Sequence, residues 1–202
     1  GRTHTRLTAV VAIVIALNAM MFVAQISSGG STNLLTLHRL GALEPHAVLN
    51  LGEYSRLLTA LFLHYGPAHL LVNLFALYFF GPTVESALGS VRFAACYLIS
   101  GVGSCAEIAT LWRFGWLEMD QLVGASAAVM GIVGAWAGAL VRDRHVPHNR
   151  RTLRNIMIIV VVQCVFDILT PRVSMAAHLS GLATGFLLGL VIAPRRAPQA
   201  PP

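Results

Sequence analysis

Charge is scarce in this chain. Of its 202 residues only 11% are Asp, Glu, Lys or Arg, and all fourteen basic residues are Arg, with no Lys. A soluble domain of ordinary composition carries about 25% charged residues. With 56% hydrophobic residues and a mean hydropathy of +0.71, the chain cannot cover itself with polar surface, so lipid must be part of its solvent. Cysteine is scarce too. Cys96, Cys105 and Cys164 all fall in apolar stretches, without CxxC or Cys/His metal spacing, and an odd number excludes a complete disulfide framework. They read as small buried residues. No His is followed by Glu, which excludes an HExxH zinc motif. Neither metal nor cofactor is expected.

Long hydrophobic runs are abundant. About 20 apolar residues span a hydrocarbon core, and six segments approach that length: Leu7–Gln25, Ala68–Gly81, Val91–Leu111, Leu122–Val141, Leu153–Leu169 and Ser174–Ala193. The second is short unless it draws on Leu57–His64 or runs past Pro82. The first is long for the apolar core of a cleavable signal and lacks a small-residue cleavage site. It is therefore counted as a span. The expected fold is an all-α polytopic membrane protein with six transmembrane helices. Residues 1–193 form one membrane domain, and the Pro/Ala/Arg-rich residues 194–202 form a disordered tail.

The arginines orient the bundle. With a cytoplasmic N-terminus, Arg2, Arg6, Arg92, Arg142, Arg144, Arg150, Arg151, Arg154, Arg195 and Arg196 lie inside, whereas Arg39, Arg56, Arg113 and Arg172 lie outside. The positive-inside rule then places both termini in the cytoplasm. The net charge of +6 thus reflects topology rather than a groove for nucleic acid, because the arginines flank apolar blocks. Between the first two spans, Ile26–Arg56 is far longer than ordinary helix connections. It mixes Leu34, Leu35, Leu37, Leu40, Leu43, Val48, Leu49 and Leu51 with polar residues, and reads as an outer, partly membrane-embedded loop.

Polar residues inside spans are costly and mark function by default. His69 lies near the outer end of the second span, after Pro67, with Asn73 one turn deeper. Ser126 and His178 each lie about four residues into their spans from outside. At about 1.5 Å rise per residue, all four sit in the outer third of the bilayer. A serine hydroxyl becomes a nucleophile when a base takes its proton, and a neutral imidazole can do so. Ser126 is therefore the candidate nucleophile and His178 its base. His69 and Asn73, spaced i, i+4, share a helix face and can donate hydrogen bonds to an oxyanion. No carboxylate has an obvious path to His178 at this depth, so a Ser/His dyad is expected rather than a triad. Asp167, near the outer end of the fifth span, reads as a local cap or pairing group. Gly181, Gly185 and Gly189 form a small-residue face that lets the fourth and sixth helices approach.

Taken together, these stretches resemble the rhomboid intramembrane serine proteases, in order over about Gly52–Leu190. They are Arg56-Leu57-Leu58-Thr59, Phe62-Leu63-His64, His69-Leu70-Leu71-Val72-Asn73, Gly81-Pro82-Thr83-Val84-Glu85, Gly124-Ala125-Ser126 and Ala177-His178-Leu179-Ser180-Gly181. The resemblance implies that Ser126 and His178 are catalytic, that His69 and Asn73 form the oxyanion hole, and that the fifth helix and the following loop act as gate and cap. Arg56 and Glu85 are implied to be structural. The chain departs from the family pattern at Ser55 (commonly Trp), Ala127 (commonly Gly) and Met130 (commonly aromatic). The implied partners are transmembrane protein substrates in the lipid bilayer, and the implied location is a bacterial inner membrane. An inactive relative that binds transmembrane helices without cutting them is the alternative reading. A transporter fits less well, since the polar groups do not cross the whole bilayer.

Overall fold

The computed structural model describes residues 7–142, 144–169 and 174–192. Residues 194–202, expected as a tail, lie outside the described residues. So do Arg2, Arg6, Arg172, Arg195 and Arg196, on which part of the orientation argument rests. Among the described residues the regular structure is helical, apart from one isolated bridge between Leu43 and Leu122. Six long helices carry the fold: α1 (Ala9–Ser27), α5 (Gly66–Leu88), α6 (Ser90–Arg113), α7 (Ser126–Arg142), α8 (Pro147–Leu169) and α9 (Met175–Val191). Of these, α1, α5, α6 and α8 are long and apolar enough to cross a membrane. The 17 residues of α7 and of α9 fall at the lower end of the spanning range. The chain is an all-α polytopic membrane protein.

Three boundaries differ from the sequence expectation. The second span runs from Gly66 to Leu88, continuing through Pro82, with the Ser86 hydroxyl donating to the Pro82 carbonyl at 2.6 Å. The fifth begins at Pro147 rather than Leu153. Proline suits the first turn, and the arginines that follow can extend from a helix into water. The fourth begins at Ser126, not Leu122, because residues 122–125 are held by other partners. Leu43 and Leu122 exchange backbone hydrogen bonds at 3.0 and 2.9 Å, and the Gly124 N–H donates to the Ala60 carbonyl at 3.0 Å.

The long outer connection is more ordered than its mixed composition suggests. It holds α2 (Leu34–Leu40), α3 (Pro45–Leu51) and α4 (Arg56–Thr59), the last continued by a 3₁₀ turn at Ala60–Phe62. Asn33 caps α2 through its side chain, and Gly41 ends it at φ +96°. Leu37, Leu43, Ala47 and Val48 are buried, whereas Leu34, Leu35, Leu51 and Tyr54 are exposed. That outward apolar set suits a segment lying in the membrane interface. Arg56 fastens the connection by donating from one guanidinium nitrogen to the carbonyls of His38 and Ala42, both at 2.9 Å. Glu44 accepts from Gln121 at 2.6 Å and pairs with His38 at 2.9 Å. Partial burial pushes its carboxyl up, but the hydrogen bonds from Gln121 and His38, with the His38 and Arg56 charges, outweigh this and hold it below its ordinary value. Glu44 therefore acts as a carboxylate acceptor in this clasp at neutral pH. Glu85 is structural as well: it accepts from the N–H groups of Val10 and Val11, satisfying free donors at the start of α1.

The closest packing is between α7 and α9. A Cβ on Gly181, Gly185 or Gly189 would overlap the carbonyl oxygen of Ala127, Gly131 or Ala135 respectively. In the other direction, Cβ atoms on Gly134 and Gly138 would overlap the carbonyls of Leu182 and Phe186. The two backbones touch over their length, which fixes both spacing and register. Because a carbonyl on a helix cannot swing aside, Gly185→Ala should cost about 1–3 kcal/mol, as overpacking does in well-packed cores. A lowered thermal midpoint of the purified protein in detergent would register it.

Candidate active site

Ser126 is the first residue of α7, and His178 is the fourth of α9. The start of α9 is set locally. Ser174 caps it, accepting from the Ala177 N–H at 3.1 Å, and the Ser104 hydroxyl of α6 donates to the Ala177 carbonyl at 2.8 Å. The α7–α9 contact at Ala127 and Gly181 lies one residue beyond Ser126 and three beyond His178, so it brings both residues to the same end of the packed pair. Ser126 Oγ and His178 Nε2 are 2.7 Å apart. His178 is buried, while Ser126 is partly exposed, so the hydroxyl meets the base on one side and remains reachable on the other.

His69 and Asn73 also come to this end of the bundle, on the first two turns of α5. The His69 ring lies against the turn before the nucleophile candidate. A Cβ on Gly124 would sit 2.8 Å from His69 Nε2 and 3.6 Å from Ser126 Oγ. Asn73 is buried and donates from Nδ2 to the His69 carbonyl at 2.9 Å, which leaves the second N–H of the same amide for another acceptor. Gln25 of α1 holds the entry to this helix, since its side-chain amide exchanges hydrogen bonds with the His64 backbone at 2.7 and 3.0 Å. Ser126 and His178 are thus in contact, His69 lies against the turn before Ser126, and Asn73 sits one turn further along α5. Ser126 stands at the helix start rather than a turn inside it, because Gly124, at φ +133°, keeps the preceding turn out of the helix.

One expectation needs correcting. A carboxylate does reach His178: Asp167 Oδ2 lies 2.7 Å from His178 Nδ1, and Gln163 Nε2 donates to Asp167 Oδ1 at 2.7 Å. Asp167 is in the last turn of α8, and His178 is in the first turn of α9. Consecutive antiparallel helices bring exactly such positions to one depth. The sequence puts Asp167 near the outer end of its span but shows no path to the histidine, because it does not show which way that helix faces. Met130, where the family commonly has an aromatic residue, is buried in α7.

Comparison with known proteins gives the family. The Rhomboid domain family model matches residues 51–195. The chain is 35% identical over 173 residues to the rhomboid protease GluP of Bacillus subtilis, covering 85% of this chain and 32% of that protein. It is 30% identical over 195 residues to the putative rhomboid protease YdcA of the same species, covering 94% of this chain and 92% of that protein. RHOMBOID-like protein 6, mitochondrial, of Arabidopsis thaliana is 35% identical over 158 residues, 78% of this chain and 50% of that protein. This chain belongs to the rhomboid family. It spans about half or less of the length of several of these relatives.

The tight turn before Ser126 offers a direct check on the geometry. Gly124→Ala forces a side chain into a positive-φ position and against the His69 ring. A shift of about 1 Å in a reacting group can cost 10²-fold in rate. On the hydrolytic reading proposed below, cleavage of a single-span substrate should therefore fall by about 10- to 100-fold, with the variant still folded by circular dichroism.

Proposed function

We propose that this chain is an intramembrane serine endopeptidase that cleaves transmembrane segments of other proteins near the outer face of the bilayer. The observation that carries this reading is the 2.7 Å contact between Ser126 Oγ and His178 Nε2. Ser126 attacks the scissile carbonyl while its proton passes to His178 Nε2. His69 and the second N–H of Asn73 donate to the oxyanion that forms. As the C–N bond breaks, His178 returns the proton to the leaving amine, and water then hydrolyses the acyl-enzyme by the same path. Neither metal nor cofactor takes part in these steps.

The substrate reaches the site from the side. Of the 23 residues of α8, only Ile156 and Asp167 are buried, so this helix is held weakly enough to give way to an incoming helix next to α5. An intact helix hides its carbonyls in backbone hydrogen bonds. The substrate must unwind locally, which small or helix-breaking residues make easier. The arginine distribution supports both ends in the cytoplasm and the site facing outward, and the family resemblance points to a bacterial plasma membrane.

A catalytically inactive helix-binding relative is the second reading, and a single assay separates the two. Purified protein in detergent or liposomes should cut a single-span substrate, and Ser126→Ala and His178→Ala should each abolish cleavage. His69→Ala and Asn73→Ala should lower kcat by about 10²–10³-fold, as loss of one oxyanion donor does in other serine proteases. Binding of substrate without cleavage by the unsubstituted protein would favour the inactive reading.

A further inference from the structure

The interior of α8 holds one group that the steps above do not use. Asp167 has no solvent-exposed side-chain surface, and the His178 side chain beside it is 7% exposed. Its neighbours Phe166, Ile168 and Leu169 all face outward. Both carboxylate oxygens are engaged, Oδ2 with His178 Nδ1 at 2.7 Å and Oδ1 with Gln163 Nε2 at 2.7 Å. A buried carboxylate is costly unless it is paired and hydrogen-bonded, and here both partners converge on the ring that faces Ser126.

We propose that Asp167, held by Gln163, is a positioning residue of the hydrolytic centre, completing a Ser126–His178–Asp167 relay in place of a two-residue one. This rests on the assignment of Ser126 and His178 made above. An ionised carboxylate only accepts hydrogen bonds, so it requires the proton on Nδ1 of His178. The lone pair of Nε2 is then left pointing at the Ser126 hydroxyl, the tautomer needed to receive its proton. When the Ser126 proton arrives at Nε2, the ring becomes an imidazolium whose charge is balanced by the carboxylate. The Nδ1 proton stays on the ring and Asp167 stays ionised. The proton on Nε2 leaves with the amine. Gln163 contributes by donating to Oδ1 at 2.7 Å, its Nε2 lying 3.5 Å from His178 Nδ1, so that the carboxylate is held on the same side as the ring it serves.

The arrangement has a consequence for substrate entry. Asp167 is carried by the helix that is least buried in the bundle, so the base is aligned only when the outer end of α8 is seated against α9. A substrate helix that displaces this end leaves His178 without its partner until α8 returns.

Asp167→Asn tests the proposal with little change in shape. Gln163 Nε2 continues to need an acceptor at the Oδ1 position. The new amide therefore turns its NH₂ group toward His178 Nδ1, which draws the Nδ1 lone pair and moves the ring proton to Nε2. The same exchange in a soluble serine protease lowers kcat about 10⁴-fold through the wrong tautomer. With the full-length chain in liposomes and a single-span substrate, kcat should fall by about 10²–10⁴-fold while KM changes by less than about threefold. In protein carrying ¹⁵N-labelled histidine, the deshielded proton on His178 Nδ1 should be present in the unsubstituted chain and absent from the variant. Asp167→Glu should recover part of the rate that Asp167→Asn loses. A kcat for Asp167→Asn within about twofold of the unsubstituted value overturns the proposal. So does a fall in kcat that merely follows a lowered thermal midpoint and disappears on cooling. Ser126→Ala is measured alongside: cleavage that survives in it overturns the parent assignment instead.

Discussion

The structure depends on one contact, the touching backbones of α7 and α9. Glycines on both helices remove the side chains that would otherwise separate them, and carbonyl oxygens of one helix occupy the space where Cβ atoms of the other would stand. In lipid there is no hydrophobic gain from pressing apolar helices together, so close packing of this kind is a main source of attraction. It also has a chemical result. With the helix axes this close and the register fixed at Ala127–Gly181, a short hydroxyl on the first residue of α7 meets an imidazole on the first turn of α9.

Around that pair, the outer end of the bundle is tied by backbone and side-chain hydrogen bonds. The turn before Ser126 is anchored to Ala60 and Leu43, Arg56 gathers two carbonyls of the outer connection, and Gln25 pins the segment entering α5. A site at a helix start needs such support, because the first turn has free N–H groups and few bonds of its own. Only α8 escapes it. That helix faces mostly outward, and its buried polar residue is the one that touches the base. Close packing and hydrogen bonding are concentrated in α7, α9 and the outer connection, and α8 buries the least of its surface.

Much of this was legible in the sequence. Low charge and long apolar runs gave the membrane class, and depth singled out Ser126 and His178, which are in contact, with His69 against the turn before Ser126. Periodicity could not mark where α7 starts, since Leu122, Val123, Gly124 and Ala125 are as apolar as the helix that follows. Their exclusion comes from bonds to residues some 60 to 80 positions away. The short helices of the outer connection were obscured for a related reason, because each has only one or two turns and is defined by caps such as Asn33 and Gly41 rather than by length. Asp167 pairs locally with Gln163 as its position suggests. Its reach to His178 was not visible, because the sequence shows no path from it to the histidine, whereas antiparallel helices bring the end of one beside the start of the next.

The central claim is that Ser126 is an activated nucleophile rather than a small residue used for packing. Reaction with a fluorophosphonate, followed by peptide mass spectrometry, tests it without any knowledge of the natural substrate. An adduct on Ser126 in the unsubstituted chain, absent from His178→Ala at the same probe concentration, is the result this account predicts. Equal labelling of the two proteins, or an adduct at another serine with Ser126 unmodified, would contradict it.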